Sequence, residues 1–189
     1  MWQYIICTCI WIGFIVHWTI GSIPKQKYFE VYAGCGIAIC LTLLVLGLAG
    51  WFQTQTDILA LQSLKTIGSV LYILAIIVAV VSLVTLRFKG KPRTGIENTT
   101  IFIEKGIFKI IRHPLYLSLA LWSISFIFLI QNIPGTVLGI IALSCFLIAA
   151  KKEDEFNIKK FGDVYQEYMD KVPIWNVFKG IRKMLRRSN

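Results

Sequence analysis

Residues 114–150 read PLYLSLALWSISFIFLIQNIPGTVLGIIALSCFLIAA. Not one Asp, Glu, Lys or Arg interrupts the run. It divides into two apolar stretches, Pro114 to Gln131 and Ile133 to Ala150, joined only by Asn132 and the Ile133-Pro134-Gly135 turn. Proline next to glycine punctuates a helix, so the chain must reverse here. Each stretch approaches the roughly 20 apolar residues that a membrane-crossing helix needs. The pattern predicts a tight antiparallel pair of spans. The first, at about 1.5 Å per residue, reaches about 27 Å. That barely crosses the hydrocarbon layer and leaves little room for tilt.

Three further stretches upstream have the same character: Trp2 to Ile20, Val31 to Trp51 and Thr66 to Leu86. The 189 residues are 56% hydrophobic and 16% charged, and mean hydropathy is +0.67. A soluble domain carries about a quarter charged residues. The expected fold is therefore all-α: a polytopic transmembrane helix bundle of about five spans, forming one domain over residues 1–189. The first segment lacks the basic start of a signal peptide, and Trp11, Phe14 and Trp18 extend its apolar run, so it is read as a span. Cys7, Cys9, Cys35, Cys40 and Cys145 all lie in apolar runs without a CxxC pair or Cys/His cluster. They read as small buried hydrophobes, and neither a disulfide nor a metal site is expected.

Charge sets the orientation. Five spans place segments 24–30, 87–113 and 151–189 on one side of the membrane, and with them every Lys and Arg except Lys65. The positive-inside rule makes that side cytoplasmic and puts the N-terminus outside. His17, within the first span, reads either as a proton carrier or ligand or as an interfacial histidine near Lys25.

Two polar features break the pattern on the basic side. Arg112-His113-Pro114 stands at the entry of the fourth span, after Gly106 and a short expected helix, Ile107 to Arg112. Proline suits the first helical turn, which sets His113 at or beside the N-cap. Free N–H groups and the positive dipole end converge there. Arg112 and His113 could clamp a carboxylate or phosphate; equally, Arg112 could reach lipid phosphates while His113 caps the helix. The second feature is Glu153-Asp154-Glu155, directly after the fifth span. These acids suit a cationic or hydroxyl-rich ligand, or a solvated face with Glu155 paired to Lys159. Phe161, Tyr165, Tyr168 and Val172 then recur at helical spacing, so the fifth helix is expected to continue and fold an apolar stripe back over the loops. The tail from Ile174 to Asn189 places Ile174, Trp175, Phe178, Ile181, Met184 and Leu185 on one face, flanked by lysines and arginines. It reads as an interfacial amphipathic helix for anionic lipid headgroups, not as a nucleic-acid site.

Gly106 through Tyr116, followed by Glu153-Asp154, Phe161-Gly162-Asp163-Val164-Tyr165-Gln166-Glu167-Tyr168 and Val172-Pro173, resembles the isoprenylcysteine carboxyl methyltransferase and phospholipid methyltransferase superfamily. These are small integral membrane enzymes that use S-adenosylmethionine. The resemblance covers residues 66–175, leaving 1–65 as two variable spans and 176–189 as a basic tail. It implies a methyltransferase acting on a lipid-like or prenylated acceptor that enters from the bilayer. It also implies cofactor contacts from Thr100, Ile101, Phe102 and Ile103, from Phe108, from His113, Pro114, Leu115 and Tyr116, and from Glu153 and Asp154; Arg112 joins them because its charge suits the cofactor's carboxylate. No catalytic base is implied. Phe108 replaces a frequent tyrosine, and Ser118 a frequent glycine. Ala149 stands where isoprenylcysteine enzymes carry an arginine one turn before the glutamate. A nicotinamide-dependent membrane reductase of the sterol-reductase type, or a non-catalytic scaffold with the same fold, are the competing expectations.

Overall fold

A computed structural model describes residues 1–52, 59–89 and 103–188. These are helical almost throughout: α1 (Trp2–His17), α2 (Tyr28–Leu48), α3 (Leu59–Lys89), α4 (Pro114–Ile130), α5 (Ile133–Phe161), α6 (Asp163–Lys171) and α7 (Val177–Ser188). A π-helical turn, Trp18–Ser22, continues α1. Four of these helices are long and apolar enough to cross a membrane: α1 with its π turn, α2, α3 and α5. The fourth expected span, α4, has 17 residues and is the short member. The expected helical bundle is thus observed.

The reversal between α4 and α5 is tighter than the Pro-Gly motif suggests. Gln131 closes α4 in the left-handed conformation (φ 53°), and the Asn132 side chain caps α5 by accepting from the Gly135 N–H at 2.7 Å. Ile133, Pro134 and Gly135 therefore lie inside the first turn of α5, where proline is tolerated because its missing N–H has no helical partner.

α4 packs between α3 and α5, and α2 packs along α5. Ile39, Cys40 and Leu43 of α2 meet Phe126 and Ile130 of α4 and Ala142 and Phe146 of α5 in the central cluster. Lipid tails are as apolar as these side chains, so close contact rather than escape from water must hold the helices together. Small residues permit that contact. A Cβ at Gly36 would stand 2.5 Å from the Phe146 ring, and one at Gly68 would stand 3.1 Å from the Ser125 carbonyl oxygen. α1 buries no residue, and α3 exposes Val70, Ile73, Ile77 and Val80, as surfaces facing lipid should.

α5 is 29 residues long, so at about 1.5 Å per residue it spans about 43 Å and outruns a hydrocarbon layer of about 30 Å. Its polar last third projects beyond the apolar bundle. Gly162 (φ 62°) breaks the helix, and α6 folds back with Tyr165, Tyr168 and Val172 buried against Ile158, Phe161 and Met169. The expected apolar stripe is there, but on a separate helix.

Two local expectations change. A 3₁₀ turn, Gly106–Lys109, replaces the helix expected from Ile107 to Arg112. The N–H groups of Arg112 and His113 turn outward instead and donate to the carbonyls of Pro173 (3.0 Å) and Ile174 (3.5 Å). In the tail, Ile174 and Trp175 precede α7 and pack against the α4–α5 core, so they do not share the α7 stripe. Thr100, Ile101 and Phe102 lie outside the described residues.

Candidate functional site

The start of α4 and the projecting part of α5 meet at the end of the bundle. Arg112 and His113 enter from one side, Glu153 and Asp154 from the other. Adjacent residues on a helix point about 100° apart, and the two acids have separate fates. Asp154 turns inward and is buried. One of its oxygens accepts from the Arg112 Nη2 at 2.9 Å. The other lies 2.7 Å from the His113 Nε2 and accepts from the Tyr165 hydroxyl at 2.6 Å. Arg112 also donates through Nη1 to the carbonyls of Met169 (2.9 Å) and Val172 (2.5 Å), closing the end of α6. Tyr168 donates to the Phe108 carbonyl at 2.7 Å. Asp154 is thus the centre of a buried lock that ties α4, α5 and α6 together.

Electrostatics fix the protons in this lock. Burial alone would push the Asp154 carboxyl up; hydrogen bonds and charge from His113, Tyr165 and Arg112 outweigh it and hold the group below its usual range. Burial and the Asp154 carboxylate push the Tyr165 hydroxyl well above its ordinary value, so it stays a donor. Burial likewise raises Tyr168. An ionised carboxylate only accepts, so the His113 Nε2 must carry a hydrogen. The ring's Nδ1 is then directed to the Glu153 side, 3.9 Å from that carboxylate.

Glu153 is about one-third exposed and faces a cavity of about 330 Å³. Ile103, Phe108, Arg112, His113, Pro114, Leu115 and Tyr116 line it from the α4 side. No side chain caps the amino end of α4, and Pro114 opens the helix there. The opposite wall comes from α1 and α2, with Phe14, Phe29, Ala33, Gly34 and Ile37 as an apolar surface. His17, Lys27 and Glu30 sit at its edge, and Glu30 accepts from Ser22 (2.8 Å) and Lys27 (2.8 Å).

Of the expected site residues that are described, all but Asp154 reach the cavity surface. Asp154 lies behind His113, and Arg112 turns its guanidinium to Asp154 and α6. Glu155 pairs with Lys152 at 2.9 Å, not with Lys159. Tyr165, Tyr168, the α1–α2 wall and Asn157, which lines the cavity and donates to the Tyr165 hydroxyl at 3.4 Å, were not among the expected site residues. The tyrosines read as apolar stripe residues, although a buried Tyr hydroxyl needs a partner and so signals a nearby acceptor. Ala149 is fully buried, packed with Tyr116 and Trp175.

Comparisons with known proteins place this multi-pass helical membrane protein with the isoprenylcysteine and phospholipid methyltransferase-like membrane superfamily. Residues 9–181 match the family model described as NnrU protein, and the chain belongs to that family. Over 74 residues it is 28% identical to the protein-S-isoprenylcysteine O-methyltransferase of Schizosaccharomyces pombe, a match covering 39% of this chain and 31% of the other. The chain therefore spans less than a third of the length of that curated relative. No solved structure matches.

Proposed function

We propose that this protein is an S-adenosylmethionine-dependent membrane methyltransferase that acts on a lipid-like acceptor. The observation that carries the reading is the cavity between Glu153 and the α4 start, polar at that end and apolar along α2. Its volume lies in the range of small-molecule sites, roughly 300–1,000 Å³. The residues fit the cofactor's chemistry. Glu153 offers a carboxylate to its cationic groups. The amino end of α4 offers partial positive charge to its carboxylate. Phe108 and Tyr116 offer apolar faces to its adenine.

When bound, the cofactor supplies a methyl group on a sulfonium. The protein's part is to align an acceptor with it and exclude water, and alignment alone can contribute about 7–11 kcal/mol. His113 is positioned for this by Asp154, and Asp154 by Arg112 and Tyr165. Arg112 and Asp154 thus act through His113. Thr100, Ile101 and Phe102 are assigned to the same site from the resemblance alone. The α2 wall would receive the acceptor's chain from the bilayer. Since Ala149 is sealed beneath Tyr116 and Trp175, no cation rises from that position to hold a prenylcysteine carboxylate. The excess of lysine and arginine at this end supports a cytoplasmic site and C-terminus, with the N-terminus outside.

Calorimetric titration of the protein in lipid nanodiscs tests the assignment. S-adenosylmethionine should bind saturably, and Glu153→Gln should weaken it about tenfold or more, about 1.4 kcal/mol. The melting temperature should not change. Absence of binding by the unmutated protein, or binding of NADPH in its place, would overturn the reading. Methyl-labelled cofactor incubated with membranes would then identify the acceptor.

A further inference from the structure

α7 presents two faces with separate uses. The inner face rests on the loop that carries Arg112 and His113. Gly180 is buried there, and a Cβ at that position would run into the Ile110 carbonyl oxygen. Lys183 donates to the Asp170 carbonyl at the end of α6. The segment leading into α7 supplies the carbonyls that hold the Arg112 and His113 N–H groups. The outer face is exposed and apolar along one stripe: Phe178 (88% exposed), Ile181 and Leu185. Arg182 and Arg186 border that stripe and line a shallow groove with it.

We propose that this outer face docks on anionic phospholipid headgroups of the adjoining leaflet, and that docking restrains the Ile110–His113 backbone. The stripe calls for an apolar phase and its borders call for phosphates, and an anionic leaflet supplies both within a few ångströms of depth. Nucleic acid or an acidic protein could satisfy the arginines but would leave Phe178 and Leu185 in water. The helix is also continuous with a bundle that already sits in the bilayer, so the leaflet is its immediate neighbour. The glycine contact makes the coupling direct. With no side chain at position 180, helix and loop backbones touch, and one cannot shift without the other.

The docking itself does not rest on the methyltransferase reading and is tested without cofactor. Amide hydrogen exchange of the full chain is compared in nanodiscs of phosphatidylcholine alone and of phosphatidylcholine mixed with phosphatidylglycerol. Residues 178–186 should exchange about tenfold more slowly in the anionic discs, because each basic residue adds an increment of surface attraction. Residues 110–113 should slow with them. Arg182→Gln combined with Arg186→Gln, both on the exposed face, should abolish the lipid difference and leave the melt unchanged. Gly180→Val should keep α7 lipid-dependent while uncoupling residues 110–113. Equal exchange in both lipids, or a lipid difference that survives the double substitution, would overturn the docking. An unresponsive loop in the unmutated protein would overturn the coupling.

Discussion

Replacing Asp154 with Asn tests whether this residue locks the fold or holds a ligand. The Asp154 side chain is 7% exposed, and its carboxylate receives hydrogen bonds from Arg112 and Tyr165, with the His113 ring at 2.7 Å. Asparagine keeps the shape but removes the charge and turns an N–H₂ group toward donors. The Arg112 guanidinium, 10% exposed, would remain buried without a counter-charge. Breaking one side of such a pair costs about 3–5 kcal/mol. For a chain of this size, about 2–4 °C of melting temperature accompanies each kcal/mol, so the melt should fall by roughly 6–20 °C. Arg112→Met added to Asp154→Asn should restore part of the loss, because it removes the orphaned charge. The pH dependence follows from the lowered Asp154 pKa. Above the usual carboxylate value, about 3.8, the contribution is fully present; below it, stability is lost as pH falls through the lower folded-state value. Asp154→Asn should therefore flatten the acid limb of a melt-versus-pH curve. Differential scanning fluorimetry in detergent reads all three quantities. A melt unchanged to within about 1 °C would refute the lock, since a buried pair cannot be that inexpensive to break.

Other substitutions probe separate contacts. Tyr168→Phe deletes one hydroxyl, leaves the Phe108 carbonyl without its donor and should cost about 1–3 kcal/mol by the same melt. Gly36→Ala places a Cβ against the Phe146 ring, and overpacking of about 1–3 kcal/mol should follow; pairing it with Phe146→Leu should recover part of the loss. Ala149→Arg, which inserts the guanidinium of isoprenylcysteine enzymes, should unfold the α4–α5 contact and not create a carboxylate site, because Tyr116 and Trp175 close over that position. Trypsin susceptibility of the projecting part of α5 would report that outcome.

The helices were legible because the bilayer imposes a length and a polarity that leave few alternatives. α1 to α5 follow the apolar runs closely, and the reversal at Asn132 needs nothing beyond local turn chemistry. The break at Gly162 was harder to read. Its glycine stands in a stripe that continues at helical spacing on both sides, so the period alone predicts one helix where two are folded. The 3₁₀ turn at Gly106 escaped for a different reason. What competes with a helix over residues 107–112 is a pair of carbonyls at Pro173 and Ile174, some 60 residues away, and no local pattern encodes them.

The site was legible in residue type and not in facing. Glu153 and Asp154 look interchangeable as sequence neighbours, yet one helical step puts the first on the cavity and the second into the lock. The same step explains why Arg112, the most conspicuous cation at the entry of α4, borders the cavity but directs its guanidinium to Asp154. A buried carboxylate needs a counter-charge more than an open pocket does, and Asp154 with the carbonyls of Met169 and Val172 occupies the guanidinium fork. With Arg112 engaged and Lys27 paired to Glu30, the amino end of α4 and Lys160 give the cavity its positive character, and Glu153 its negative character. A small cation that also carries a carboxylate fits that division. Tyr165 and Tyr168 complete the logic: their burial removes them from water, their raised pKa values keep them donors, and their hydroxyls hold the Asp154 carboxylate and the Phe108 carbonyl. The orientation of His113 therefore depends on a helix that sequence periodicity had marked only as apolar cover.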